Sequence, residues 1–356
     1  MKILLVRLRQ IGDVVFTTPA IRALRERFPD AHLTYIVEPA AAAVVENNPF
    51  LDEVIVAPRR RGTAGLRADL SLGRRLRRDG YDIAIDFHGG PRASFLAWLS
   101  RAPIRIGYEV AGRGWMYTRR IARPRELRPR HSVENQWDLL APLGVGQPTG
   151  ERYPVQMVAD PDAVRSVATR LAENGVATHE PIVLIHVSAG NPFRRWPAAS
   201  FGEVAASLAS RHPELRIIVT SGPSEPESAA RVIEDARARL PPDDRHRVLA
   251  GGDFSLSDLR ALVDRAILYI GGDSGPMHVA ATSQVPIVTL YGPTLPARSA
   301  PWRSASWPSA PVEVQGLECR PCDQRVCIPG DFRCLAWIEP RQVIEAAERL
   351  IHWTTP

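Results

Sequence analysis

Short apolar runs separated by polar turns dominate the chain, and their spacing alternates between the period of a buried strand and that of a helix. Lys2-Ile-Leu-Leu-Val-Arg7 is a continuous apolar stretch closed by cations, which predicts a strand buried on both faces. It breaks at Gly12-Asp13. Helical spacing then puts Ala20, Ile21, Leu24 and Phe28 on one face, with Thr18-Pro19 as cap and first turn. Strands are predicted at His32–Val37, Val54–Ala57 and Tyr81–Asp86, with an Arg-rich helix before the last. Strands alternating with helices predict a parallel sheet covered on both sides, an α/β class.

The pattern restarts after a Pro-, Gly- and Asp-rich linker, Pro148–Asp162. Strands are predicted at Pro181–Val187, Leu215–Thr220, Arg247–Leu249, Ala266–Ile270 and Pro286–Tyr291. Helices are predicted at Phe201–Arg211, Glu227–Leu240, Leu256–Val263 and Pro276–Thr282. The tail Pro340–Trp353 is amphipathic, with Val343, Ala347, Leu350 and Ile351 on one side. Two αβ domains of similar size predict a ligand cleft between them.

Composition narrows the functional classes. The opening apolar run, Ile3 to Val6, is too short for a signal-peptide core and no small-residue cleavage site follows it. No stretch reaches the roughly 18 apolar residues that span a bilayer. The expectation is a cytoplasmic protein. Lys2 is the one lysine of the sequence, so any site that needs a cation must use arginine. Residues 1–150 carry 24 basic and 15 acidic side chains, a net +9, whereas the remainder is −3. The basic half points to an anionic partner or to a solvated arginine face.

Four loops carry candidate chemistry. Gly271-Gly272-Asp273-Ser274-Gly275-Pro276 joins a buried strand to a helix. Glycines let a ligand approach the backbone, and the free N–H groups of the helix start suit phosphate; His278 lies in the first turn. The alternative is an ordinary tight turn capped by Ser274. Ser188-Ala-Gly-Asn-Pro-Phe-Arg194-Arg195-Trp196-Pro197 offers a hydroxyl and paired guanidiniums at a strand end. Ser221-Gly222-Pro-Ser-Glu225-Pro-Glu227 offers a carboxylate for ribose hydroxyls, and spacing leaves Glu225 and Glu227 open. In the first half Asp13 follows the first strand; it reads either as a general base or as a helix N-cap. A dinucleotide fingerprint would need Gly-x-Gly-x-x-Gly here with Glu38 as its acid, but this turn has one glycine. A Walker A motif is absent. Asp160-Pro161-Asp162 matches a metal-binding pattern of some sugar transferases, but it lies at a helix start.

Taken together the motifs resemble the bacterial lipopolysaccharide heptosyltransferases of glycosyltransferase family 9. The resemblance rests on residues 2–15, Pro19–Leu24, Arg194–Pro197 and Gly272–His278, in that order. It implies a GT-B fold of two Rossmann-like domains: an acceptor domain, 1–155, and a nucleotide-sugar domain, 156–339, with helix 340–353 packed back on the first. It implies inverting transfer of heptose from ADP-heptose to a hydroxyl of a lipopolysaccharide core-type acceptor, without a catalytic metal. Asp13 matches the family's general base. Ser188, Arg194, Glu225 or Glu227, Asp273, Ser274, Gly275 and His278 match its donor site, with Arg194 where lysine is usual. Anionic glycolipid acceptors give the basic half a purpose, with Arg59, Arg60, Arg61 and Arg67 as contacts and Arg119, Arg120 and Arg123 behind them. Peripheral contact with the inner membrane is expected, and nucleic acid is not. Other readings are another nucleotide-sugar or a protein acceptor, an epimerase or oxidoreductase, and a non-catalytic nucleotide-sugar binder. Cys319-x2-Cys322-x4-Cys327-x6-Cys334 holds every cysteine of the chain. Clustered cytoplasmic thiols favour metal over disulfides. A branch of the family carries a four-cysteine iron site in a comparable place, so a structural iron or zinc is expected.

Overall fold

The structure is a computed structural model that describes residues 1–122, 130–222, 225–252 and 254–354. It divides into two units, one of residues 1–158 with 302–304, the other of 159–301 with 305–356. Arg123 lies outside the described residues.

The first unit contains β1 (Lys2–Val6), β2 (His32–Val37), β3 (Glu53–Val56), β4 (Ile83–Asp86), β5 (Ile104–Tyr108) and β6 (Arg119–Ile121). They form one sheet in the order β3-β2-β1-β4-β5-β6, and every pairing is parallel. Ile3, Leu4, Leu5 and Val6 are all fully buried, so β1 is covered on both faces as its unbroken apolar run requires. Leu4 and Val6 join Ile36, Ile55, Leu96 and Tyr117 in one core cluster. β5 and β6 escape the sequence reading, and only β6 lies at the sheet's edge. The three residues of β6 are Arg119, Arg120 and Ile121, which carry no strand signal of their own.

The second unit repeats the topology. β7 (Ile182–His186), β8 (Arg216–Thr220), β9 (Val248–Ala250), β10 (Leu268–Gly272), β11 (Ile287–Tyr291) and β12 (Ser309–Glu313) form a sheet ordered β12-β11-β10-β7-β8-β9. Its pairings are also parallel. Renumbered within each unit, both sheets have the dinucleotide-fold order 3-2-1-4-5-6, and the order reverses between β1 and β4 and between β7 and β10. The unpredicted strand, β12, contains Pro311, which an edge strand tolerates because one side of its backbone needs no ladder bond.

The C-terminal helix, Pro340–Thr354, packs on its own unit. Val343, Ile344, Ala346, Ala347, Leu350 and Ile351 are buried in the core of the second unit with Trp196, Phe201 and Leu290. The helix packs on β10, β11, β12 and the helix Ala198–Arg211. Its apolar stripe recurs at the spacing of one helix face, and the sheet face it covers belongs to its own unit. No helix among the described residues is long and apolar enough to cross a membrane.

Trp196 ties the arginine loop to this helix. Its indole is 4% exposed, meets the Phe201 ring edge-on at 4.8 Å and donates from Nε1 to the Ile338 carbonyl at 3.1 Å. Trp196→Ala is expected to destabilise the protein by about 3–5 kcal/mol. Trp196→Phe keeps most of the volume but strands a buried carbonyl, at about 1–3 kcal/mol. Urea unfolding of both variants checks the order; equal stability of the alanine variant and the wild type would refute it.

Candidate active site

In parallel sheets every strand delivers its following loop to the same edge, and the crevice lies where the strand order reverses. In the second unit those strands are β7, followed by Ser188–Arg195, and β10, followed by Asp273–Gly275. The loops interlock. Arg194 donates from Nη1 to the Asp273 backbone carbonyl at 3.0 Å, and the same nitrogen lies 3.4 Å from the Asp273 carboxylate. A Cβ at Gly272 would stand 3.2 Å from the Arg194 carbonyl, so glycine permits this close approach.

Asp273 is the most enclosed charge of this edge, with its side chain 2% exposed. Burial alone would raise its pKa. Hydrogen bonding and charge from His278, the Arg194 cation and the Thr294 hydroxyl outweigh burial and hold it below the usual carboxylate value. His278 approaches from the helix Gly275–Ala280, its Nε2 3.5 Å from Oδ1. Ser274 occupies the N-cap but its side chain makes no cap bond. Its Oγ is buried with no hydrogen-bond partner among the described residues, so the reading of Ser274 as a plain capping residue fails. Gln324 accepts from Arg194 Nε at 2.8 Å and from Asn191 Nδ2 at 2.9 Å, a contact that sequence reasoning missed because 130 residues separate it from Arg194.

The two glutamates divide sharply. Glu225 is 8% exposed, and its carboxylate lies 2.6 Å from Arg195 Nε, whose N–H itself points to the Ala189 carbonyl at 3.0 Å. Glu227 has its side chain 85% exposed and faces Arg231 on the surface of its own helix. Only Glu225 is joined to the Ser188–Arg195 loop.

In the first unit Asp13 sits in the first turn of the short helix Ile11–Val15, and Gln10 takes the N-cap without a side-chain bond. Asp13 is therefore not a cap. It forms an ion pair with Arg7. Arg7 in turn donates from Nη1 to the Phe87 carbonyl at 2.6 Å, so the cation is fixed between the ends of β1 and β4. Asp86, at the end of β4, accepts from the backbone of His88 and Gly89 at 2.8 and 2.9 Å and from the Tyr117 hydroxyl at 2.6 Å. These bonds shape the turn that carries His88. Burial pushes Asp86 above the ordinary carboxylate value, and burial with the nearby Arg7 lowers His88 to about 4. Arg7 was within the sequence motif, but nothing local marked it as the partner of Asp13.

Arg59, Arg60, Arg61 and Arg67 lie after β3 and in the first turns of the helix Gly62–Asp79, all exposed. Arg119 and Arg120 are exposed on β6. Asp160 caps the helix Pro161–Glu173, accepting from Asp162 N at 2.8 Å, as its place at a helix start implied.

The cysteine expectation is overturned. Cys319, Cys322, Cys327 and Cys334 are free and partly exposed, and their sulfurs do not converge. No group of three or more His, Cys, Asp or Glu side chains able to hold a metal exists among the described residues. The segment is held by Arg320 instead, which donates to the carbonyls of Val314 and Thr294 at 2.6 and 2.7 Å and to Glu313 at 2.8 Å. A guanidinium fanned across backbone carbonyls anchors the turn without thiolates.

The lowered pKa of Asp273 sets a pH dependence. Its stabilising contribution is complete above the unfolded carboxyl value, about 4, and is lost as pH falls through the lower folded value. The gap in unfolding free energy between wild type and Asp273→Asn should be widest near neutral pH and shrink below about pH 4. A gap that grew on acidification would show the sign to be wrong.

Comparison with known proteins places this arrangement. The family model for glycosyltransferase family 9 (heptosyltransferase) matches residues 70–330. Lipopolysaccharide heptosyltransferase 3 of Escherichia coli K12 is 27% identical over 293 residues, covering 81% of each chain. The crystal structure of a family 9 glycosyl transferase from Veillonella parvula is similar with a TM-score of 0.82 at 27% identity, covering 99% of this chain and 97% of that one. The ADP-heptose heptosyltransferase II structure of E. coli shares the fold, with a TM-score of 0.79 at 19% identity and full coverage of both chains. Two parallel, helix-flanked sheets of identical strand order form the two Rossmann-like domains of a GT-B fold. The chain belongs to glycosyltransferase family 9, the heptosyltransferase family.

Proposed function

We propose that the protein transfers a heptose from ADP-heptose to a hydroxyl of a lipopolysaccharide core-type acceptor, with inversion at the anomeric carbon. The second unit takes the donor. Arg194, Ser188, Ser274, Gly275 and His278 face its diphosphate, Asp273 orders Arg194 and His278, and Glu225 takes the ribose hydroxyls. The first unit takes the acceptor. The carboxylate of Asp13 accepts the proton of the acceptor hydroxyl, and that oxygen attacks the anomeric carbon. The bond to the diphosphate oxygen breaks on the opposite face, and ADP leaves with the electron pair. Arg194 and the backbone N–H groups at the start of the helix Gly275–Ala280 meet the leaving charge, a preorganised electrostatic role. The observation that carries the reading is the join between Arg194 and Asp273, which gathers a cation, a free buried hydroxyl and a helix start at one strand edge.

Among the alternatives left by the motifs, Glu225 is preferred over Glu227 for ribose, because Glu227 points to solvent. The exposed Arg59, Arg60, Arg61 and Arg67 suit anionic groups of a glycolipid, and the same surface suits contact with the inner membrane that carries it.

Asp13→Ala is expected to lower kcat for transfer by roughly 10²–10⁴-fold, the worth of a general base, while ADP binding is unchanged. Transfer assays with calorimetric ADP titration check this, and full kcat in a folded variant would falsify the assignment. The donor class is tested by thermal shift with ADP-, UDP-, GDP- and CDP-sugars. ADP-sugars at about 100 times Kd should add about 2.7 kcal/mol of stability. Equal stabilisation by UDP- or GDP-sugars would remove ADP-heptose as the specific donor.

A further inference from the structure

Arg92, the second residue of the helix Pro91–Leu99, holds the start of the arginine loop and has no part in the reading above. Its Nε donates to Asp69 Oδ1 and Oδ2 at 3.0 and 3.2 Å, and its Nη2 to Oδ1 at 2.9 Å. Its Nη1 donates to Glu38 Oε1 and to the Ala57 carbonyl, both at 3.0 Å, and Nη2 also to the Pro58 carbonyl at 3.2 Å. The N–H groups of the guanidinium are thereby all used, and none is left for a ligand. The side chains of Arg92, Asp69 and Glu38 are 18%, 16% and 13% exposed, so the cluster is shut off from most of the solvent.

The charge pattern around this cluster is one-sided. Residues 57–78 contain eight arginines and one acid, Asp69. Asp69 lies on the stripe of the helix Gly62–Asp79 that holds the buried Gly65, Gly73 and Leu76, one helical turn from each glycine. A Cβ at Gly73 would stand 2.5 Å from Leu99 Cδ1, so the helix Pro91–Leu99 lies close against that stripe. Asp69 is thus turned toward Arg92 and away from the arginines of its own helix. Glu38, the acid that a dinucleotide site would use, reaches the same guanidinium from just after β2. Arg59, Arg60, Arg61 and Arg67 have no ion pair or side-chain hydrogen bond with another described residue. One cation takes two carboxylates, while four exposed cations of the adjoining loop and helix take none.

We propose that Arg92 is a positioning residue that withdraws Glu38 and Asp69 from the arginine loop and pins the loop's first carbonyls, so that Arg59, Arg60, Arg61 and Arg67 meet the anionic groups of the acceptor without a competing counter-ion. The inference rests on the acceptor surface assigned above and adds the residue that keeps it charged. Arg92 does not touch the acceptor; it acts through the two carboxylates. With a neutral side chain at position 92, both would be left beside the loop. They would repel an incoming phosphate or carboxylate and pair with the guanidiniums it needs. Arginine suits the post because one planar fork serves two carboxylates and two carbonyls at once, whereas a lysine ammonium has three donors.

The test uses the full chain with saturating ADP, so that the donor site is filled, and inositol hexakisphosphate as a soluble polyphosphorylated probe. Calorimetry is expected to show binding that Arg59→Ala/Arg61→Ala weakens, which places the probe on the loop. Arg92→Met should bind it roughly threefold to thirtyfold more weakly, the worth of one or two surface ion pairs, with ADP affinity unchanged. Arg92→Met/Glu38→Gln/Asp69→Asn should recover most of that loss, because the carboxylates that Arg92 restrained are gone. A strut that merely held the fold would not be mended by removing its partners. A triple variant as weak as Arg92→Met therefore overturns the proposal, as does unaltered affinity in Arg92→Met. Glu38→Gln/Asp69→Asn, which keeps Arg92, serves if Arg92→Met does not fold: it should bind the probe at least as tightly as the wild type, and weaker binding overturns the proposal. If the wild type does not bind the probe, or Arg59→Ala/Arg61→Ala binds it equally, the acceptor surface itself is wrong and both readings fall. If the loop binds it and the Arg92 variants match the wild type, this inference alone falls.

Discussion

A parallel strand buried on both faces has one place to put polar side chains: its ends. β1 is fully buried from Ile3 to Val6, and β7 is buried from Ile182 to His186. Because all strands of each sheet run the same way, their C-terminal ends share an edge, and every loop leaving that edge competes for the same space. The two units meet this constraint with the same strand order, which parts adjacent loops only at the β1/β4 and β7/β10 boundaries. Asp13 and His88 follow the first pair, and Ser188 and Asp273 follow the second. The candidate chemistry of both units is therefore a consequence of how parallel sheets are covered.

Charge at the second edge is organised around Asp273. A carboxylate so enclosed needs partners, since desolvation favours its neutral form. Arg194, His278 and Thr294 supply them, and each is held by its own element: a loop after β7, the helix after β10 and the turn after β11. Arg194 is further fixed by Gln324. The result is a guanidinium whose position is set by neutral and anionic groups on two sides before any phosphate approaches. Arginine suits this role because its planar fork can serve the Asp273 carbonyl, Gln324 and a ligand in different directions.

The segment that carries the cysteines belongs to this same setting. Arg320 anchors it across the carbonyls of Val314 and Thr294, and Gln324 places it against the arginine loop. Its four thiols lie apart, so the segment is shaped by a buried cation and by backbone bonds. The C-terminal helix completes the unit by covering the sheet face of β10 and β11, with Trp196 bonded to Ile338, two residues before it. Loop, anchor and helix thus share one core.

Local periodicity determined a great deal. Nine strands, the long helices and the four loops with candidate chemistry could be read from runs of apolar residues and the turns between them, since burial on both faces leaves a mark on every residue of a central strand. Three strands escaped: β5, and the edge strands β6, which is mostly arginine, and β12, which contains proline. The Asp160 cap was legible for the same local reason. What only the tertiary structure decided were relations between distant segments. Glu225 and Glu227 have the same spacing logic, but one turns inward to Arg195 and the other outward to Arg231. The cysteines are close in sequence and still do not converge, because backbone direction sets where each sulfur points. Arg7 meets Asp13, Arg194 meets Asp273 and His186 meets Thr220 through strand order and register. Spacing along a chain is a one-dimensional property. Which side chains share a partner is fixed when strands far apart in sequence are laid side by side.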